Sequence, residues 1–310
     1  MIVTVTLNAA VDKTYTVENF ALDRVHRPSS QKSTAGGKGI NVARVLLALG
    51  QPAIASGFIG GHNGKLITAG LQEEGIPYDF VKTHGESRIC IAIVDPIRTG
   101  QTEVNEIGPQ VQPDEIEAMQ EKIKSLLSNA SHLVLSGSAP PGTPDDFYVH
   151  AIESAKAAGV KSVLDTSGEY LRQGVKALPY MVKPNVAELS ASVGAELYTV
   201  EEILEAARQL AKSGINIVVV SMGRAGAIVT DGENAWQAVP PEIKFISAVG
   251  SGDSLVAAFL DATIRGAELP EALKVGTAAG AANAEVCGAG LCTAESINAF
   301  LPYIKVTRLL

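Results

Sequence analysis

Up to Val220, short apolar runs take turns with longer amphipathic stretches, and this alternation limits the fold more than any other feature of the chain. Residues 2–7, 53–59, 132–135, 160–164, 180–182 and 215–220 are runs of buried-strand type, rich in Val, Ile and Leu. Helical stretches lie between them. Residues 40–49 carry Val42, Val45, Leu46 and Leu49 on one face, and another stretch runs through Leu66 and Leu71. Residues 115–127, 147–158, 188–193 and 201–213 continue the series. Strands that are apolar throughout need cover on both faces, and strand–helix repeats supply it. The pattern predicts an α/β fold with a mainly parallel central sheet and helices on both sides. Ligands of such sheets bind beyond the carboxyl ends of the strands.

Two regions break the alternation. Residues 14–20 and 25–28 read as extended segments, and 89–95 with 102–107 read as a hairpin with Gly100 in its turn. They form either an edge extension of the main sheet or a small separate sheet. In the second case, segments near 13–33 and 88–108 make a lid over a strand-end site and a dimer contact. With no internal repeat and no long polar linker, residues 1–310 are expected to form one domain carrying that appendage.

A net charge of −8 argues against a broad basic face for nucleic acid. No apolar run approaches the roughly 20 residues that span a bilayer. The opening residues alternate like a strand, without the basic start of a signal peptide. Cys90, Cys287 and Cys292 are an odd set and a poor disulfide framework, as expected for reduced thiols in the cytoplasm. The five histidines are scattered, with no pair at metal-ligand spacing. Neither the P-loop nor the Gly-x-Gly-x-x-Gly fingerprint occurs; residues 61–66 fail the former in spacing and in their last residue.

Several glycine-rich or polar turns remain. Gly250-Ser251-Gly252-Asp253 opens an apolar helical stretch, so its backbone N–H groups and the helix dipole make an anion hole. Asp253 at that mouth takes a proton from an attacking hydroxyl, or it simply caps the helix. Gly36-Gly37-Lys38-Gly39-Ile40-Asn41 also opens a helix, and with Asp12 it offers bare backbone, an amide, a cation and a carboxylate to a polar ligand. The plainer reading is a structural turn. Asn185 and Glu188 follow Lys183 and stand one turn apart, suited either to organising hydrated Mg²⁺ or to capping. Ser221, Gly223 and Gly226 end a strand where a nucleotide can lie against backbone. Arg88 is a fork for a phosphate or a solvated surface arginine, and Ser136-Gly137-Ser138 ends another strand.

Taken in order, Asp12, the 36–41 stretch, Gly60-Gly61-x-x-Gly64, Lys183-Pro184-Asn185-x-x-Glu188, Ser221-x-Gly223 and Gly250–Asp253 resemble the PfkB carbohydrate kinases of the ribokinase superfamily. Residues 85–93 and 136–142 are similar to the branch acting on sugar monophosphates, namely tagatose-6-phosphate kinases, 1-phosphofructokinases and minor 6-phosphofructokinases. The resemblance implies a ribokinase-like three-layer sandwich with a β-sheet lid, ATP and Mg²⁺, a sugar monophosphate substrate, and a homodimer through the lid. It implies Asp253 as general base, with the amides of Gly250, Ser251, Gly252 and Asp253 around the moving phosphate. Asp12, Gly36, Gly37 and Asn41 would grip the sugar, and Lys38, Arg88 and Ser138 would lie toward its phosphate. Lys183, Asn185, Glu188, Ser221, Gly223, Gly226 and Asn283 would border the nucleotide, Asn185 and Glu188 reaching the metal through water. A monovalent cation such as K⁺ near Ser247 and Val249 occurs in some relatives.

Two positions depart from the pattern. Ser251 stands where many relatives have Ala, which leaves the backbone donors intact. Lys38 matches the tagatose-6-phosphate and fructose-1-phosphate enzymes, whereas minor phosphofructokinases tend to have Gly, which disfavours fructose 6-phosphate. The expected activity is ATP-dependent phosphorylation of a ketohexose monophosphate. The alternatives are a minor-type 6-phosphofructokinase, a kinase of an unphosphorylated sugar or nucleoside, and a non-enzymatic sugar-phosphate sensor.

Overall fold

The computed structural model describes residues 1–98 and 100–310. Fourteen strands are described: β1 (Ile2–Thr6), β2 (Ala10–Thr16), β3 (Ser30–Gly36), β4 (Ala53–Gly60), β5 (Val81–Thr83), β6 (Arg88–Asp95), β7 (Gly100–Asn105), β8 (His132–Ser136), β9 (Lys161–Asp165), β10 (Met181–Val182), β11 (Ile217–Ser221), β12 (Ala227–Thr230), β13 (Ala235–Val239) and β14 (Lys305–Arg308). Ten of them form one sheet in the order β14-β13-β12-β11-β10-β9-β8-β1-β4-β5. Pairing is parallel from β5 to β11 and antiparallel from β11 to β14.

The period-two alternation of buried strands explains the layers. Val3, Val5, Leu133, Leu135, Val218 and Val220 point to one side, where they meet helices Pro113–Leu127, Phe147–Ala157, Val186–Val193 and Val200–Lys212. Ile2, Val134, Val163, Ile217 and Val219 point to the other, against helices Lys38–Ala48, Gly61–Glu73, Ser251–Ile264 and Leu269–Ala284. The result is a three-layer sandwich. No helix among the described residues is long and apolar enough to cross a membrane.

The extra segments form a separate four-stranded sheet, ordered β3-β2-β6-β7. Its edge strand β3 is Ser30–Gly36 rather than residues 25–28. Four of its seven residues, Ser30 to Ser33, are exposed and polar, so no apolar pattern marks them. Gly100 does not make the turn but opens β7, paired with Asp95; the chain turns at residues 96–98, and Thr99 lies outside the described residues. The small sheet rests on the body. Ser247 Oγ donates to Gln101 Oε1 at 2.9 Å, tying the tip of β7 to the loop before Gly250.

Candidate active site

The turn at Gly250 is held by sterics. Its φ of 79° is left-handed, and a Cβ there would lie 2.7 Å from Ala289 Cα and from Gly290 N. Helix Ser251–Ile264 starts from Gly250 as its N-cap, so Asp253 stands in the first turn and is not the cap. The N–H of Ser251 is engaged by the carbonyl of Ala248 at 3.2 Å. A four-amide cradle is therefore not available at this turn, because the amide of Ser251 is already engaged. Lys183 closes the turn from above, since a Cβ on Gly252 would be 3.6 Å from Lys183 Nζ.

Asp253 is buried, and its Oδ2 accepts a 2.8 Å hydrogen bond from Asn41 Nδ2. Burial pushes this carboxyl up to about 6; Lys38 pulls the other way and Asp165 adds to the rise. Lys38 and Lys183 both bond Asp165 Oδ1, at 3.1 and 3.2 Å. Asp165 has no exposed surface. Burial alone would raise its carboxyl, but the charges of Lys183 and Lys38 outweigh this and hold it below the usual range. The same partner raises Lys38, chiefly through the charge of Asp165 against the cost of burial. Two fixed cations thus face the mouth of the turn.

On the side of the small sheet, Asp12 of β2 stands over Gly36, where a Cβ would fall 2.1 Å from the carboxyl carbon of Asp12. Burial raises Asp12 to about 6, with Arg88 and Arg44 opposing it and Asp253 adding to it. Gly37 is the N-cap of helix Lys38–Ala48, at φ 118°. Arg88 begins β6, and its Nε donates to the carbonyl of Asn8 at 3.0 Å. Asn8 Nδ2 in turn approaches Ser138 Oγ at 3.5 Å. Lys38 packs its stem near Gly137, where a Cβ would be 3.6 Å from Lys38 Cβ. Arg88, Ser138 and Lys38 therefore line one continuous end of the site.

At the other end, Asn185 and Glu188 form a reciprocal capping box: Asn185 Oδ1 accepts from the Glu188 amide and Glu188 Oε2 from the Asn185 amide, both at 2.8 Å. Among the described residues no three His, Cys, Asp or Glu side chains gather as a metal cluster. The second oxygen of Glu188 and the buried, unpartnered Asp165 Oδ2 remain as donors nearby. That set suits a hydrated Mg²⁺ held through water, because Mg²⁺ demands oxygen and keeps much of its own shell. Ser221 pairs with Asn185 in a parallel bridge, while Gly223 and Gly226 turn the chain at φ 58° and 84°. Asn283 does not border an open cleft. It is fully buried, donates to the carbonyl of Val249 at 2.7 Å and accepts from the amide of Gly290 at 2.8 Å, so it braces the Gly250 turn from behind.

A family model described as pfkB family carbohydrate kinase matches residues 5–296. The chain belongs to that family. Among curated proteins, this pfkB-family chain is 36% identical over 307 residues to a 1-phosphofructokinase of Borreliella burgdorferi, covering 99% of this chain and 98% of the relative. It is 35% identical over 309 residues to a tagatose-6-phosphate kinase of Staphylococcus epidermidis, covering 99% of each. Phosphofructokinase-2 of Escherichia coli, solved in complex with potassium, superposes with a TM-score of 0.91 at 32% identity, over 97% of this chain and 98% of that one.

Sequence reasoning passed over three residues of this site: Arg44, Asp165 and Asn8. Asp165 is the last residue of β9, at the carboxyl end of an apolar strand, which is a usable signal in a parallel sheet. Arg44 lies inside an otherwise apolar helix face, a signal for a buried, partnered cation.

Proposed function

We propose that the chain transfers a phosphoryl group from ATP to the free primary hydroxyl of a ketohexose monophosphate, tagatose 6-phosphate or fructose 1-phosphate, giving a hexose bisphosphate and ADP. The observation that carries this reading is the Asp253 carboxylate at the mouth of the Gly250 turn, aligned by Asn41 and faced by the amines of Lys38 and Lys183. Phosphoryl transfer needs an acceptor oxygen that can give up its proton and positive charge around the moving group. Asp253 takes the proton. The amides of the Gly250–Asp253 turn other than that of Ser251, with the two lysines, stabilise the charge. Asp12 and Asn41 orient the sugar, and Arg88 and Ser138 with Lys38 receive its existing phosphate. The small sheet excludes water, the competing acceptor.

Glu188 and Asn185 would hold Mg²⁺ through water, and the metal would supply further charge neutralisation at the phosphates. Lys183, Ser221, Gly223 and Gly226 would border the nucleotide. A monovalent cation such as potassium would sit near Ser247 and Val249; the potassium complex of Escherichia coli phosphofructokinase-2 supports the use of such an ion. A homodimer through the small sheet would cover its apolar residues Tyr15, Ile91 and Ile93, which are only half-buried, and Val104, which is exposed. The tetrameric inhibited form of Escherichia coli phosphofructokinase-2 supports an assembled state. Three free thiols suit a cytoplasmic setting.

The test is ADP release with Mg-ATP against fructose 1-phosphate, tagatose 6-phosphate, fructose 6-phosphate, fructose and adenosine. Turnover on a phosphorylated ketohexose, and little on the free sugar or nucleoside, is expected. Turnover confined to an unphosphorylated acceptor would keep the kinase chemistry and overturn the phosphate-binding role of Arg88 and Ser138. Tight sugar-phosphate binding with no turnover would make the chain a sensor.

A further inference from the structure

Arg44 is buried in helix Lys38–Ala48, and all five of its N–H donors have partners. Nε and NH2 bond the carboxylate of Glu74, the second contact at 3.1 Å. NH2 also donates to the carbonyl of Ala35 at 2.7 Å, just before the Gly36-Gly37 turn. NH1 donates to the carbonyl of Ala289 at 3.0 Å, in the segment that packs under Gly250. The remaining bond is to Asn41 Oδ1, at 2.9 Å. A guanidinium has donors only, so the Asn41 atom facing it is the oxygen and the nitrogen necessarily faces Asp253. Without that constraint the Asn41 amide can turn over. Its oxygen would then oppose the Asp253 carboxylate and favour the protonated acid.

We propose that Arg44 is a positioning residue of the transfer reaction: it fixes the Asn41 amide with its nitrogen toward Asp253, and so keeps that carboxylate ionised and aimed at the acceptor. The inference rests on the reading of Asp253 as general base. One guanidinium also ties together the two glycine turns, so the sugar-side backbone and the phosphate-side backbone are set relative to each other by a single rigid fork. Glu74, on the solvent side, keeps Arg44 in that orientation. The other charged groups facing Asp253 are Lys38, Lys183 and Asp165, with Asp12 from the lid sheet.

The experiment compares wild type, Arg44→Met, Arg44→Lys, Asp253→Asn and the double variant Arg44→Met/Asp253→Asn, with kcat and KM measured from pH 5 to 8. Arg44→Met should lower kcat about tenfold to a hundredfold and move the acid limb of the kcat profile upward by about one unit. It should add little further loss on top of Asp253→Asn, because both act through one carboxylate. Arg44→Lys keeps the charge but not the fork and should lie between. An unmoved acid limb, or losses that multiply fully with those of Asp253→Asn, would make Arg44 a merely structural residue and overturn the proposal. Near-normal turnover of Asp253→Asn would instead remove the base reading itself. If Arg44→Met does not fold, Glu74→Gln provides the same readout with a smaller shift in the same direction, and no shift there overturns the proposal.

Discussion

Lys38 and Lys183 share one oxygen of Asp165, at 3.1 and 3.2 Å, while the other oxygen of that carboxylate stays buried without a partner. Two ammonium groups so close would repel one another and scatter; the shared anion keeps both amines beside the Gly250 turn. Asp165→Asn should release them, lowering kcat by one to two orders of magnitude. Removing one member of a buried ion cluster costs about 3–5 kcal/mol, and the lower end applies because Lys38 is more than a third exposed. The carboxyl is depressed in the folded state, so its stabilisation is complete above the unfolded value of about 3.9 and lost as pH falls through the folded value. Urea melts at pH 7 and at pH 3 check this: the gap between wild type and variant should be wide at the first and smaller at the second. An equal gap at both would break the link to the charge.

Asp253 has the opposite sign. Its folded carboxyl is raised to about 6 by burial, so ionisation there weakens the fold as pH rises from the unfolded value toward neutrality. Asp253→Asn should therefore be more stable than wild type at pH 7 by about 1–3 kcal/mol, while turnover drops by orders of magnitude and sugar-phosphate binding is nearly unchanged. Wild-type kcat should fall as pH drops through about 6. Thermal melts and a pH–rate profile measure the two effects separately. A destabilised, active Asn variant would refute both.

Gly36→Ala is a steric test of the sugar side. Its methyl group would meet the Asp12 carboxylate at 2.1 to 2.4 Å, so the carboxylate must swing away. The expected result is a rise of tenfold or more in the KM for the sugar phosphate with the KM for ATP nearly constant. Equal increases in both would move Asp12 out of the acceptor subsite.

How much of this could be read from the chain depended on whether each residue's surroundings leave a local mark. The parallel strands other than β5, and most of their helices, follow from apolar periodicity, and the glycine turns before Lys38 and Ser251 follow from backbone chemistry. Helix Leu269–Ala284 went unread because it is rich in Ala and Gly and packs closely on its neighbour; a Cβ on Gly276 would lie 3.0 Å from the Leu255 carbonyl oxygen. With so little polar face it shows no amphipathic period. The antiparallel edge β12 to β14 is assembled from strands of four and five residues, one of them contributed from the far end of the chain. Arg44 and Asp165 were hidden for a different reason. Their meaning lies in partners distant in sequence, Asp165 being 127 residues from Lys38 and Arg44 245 from Ala289.

Glu188 allows capping and metal handling to be separated in one substitution. In the capping box only a carbonyl-type oxygen is needed to accept from the Asn185 amide, and Gln serves as well as Glu at that position. Glu188→Gln should therefore leave the melting temperature nearly unchanged, within about 0.5 kcal/mol of wild type. What it removes is the negative charge that, on the proposed reading, holds hydrated Mg²⁺. The Mg²⁺ concentration for half-maximal turnover should rise about tenfold, equivalent to 1.4 kcal/mol of binding, with the KM for the sugar phosphate little changed. A magnesium titration at fixed, saturating sugar phosphate and total ATP measures it directly. If the titration curve coincides with that of wild type, Glu188 is a helix cap alone, and any metal would have to be held by other oxygens, the unpartnered one of Asp165 among them.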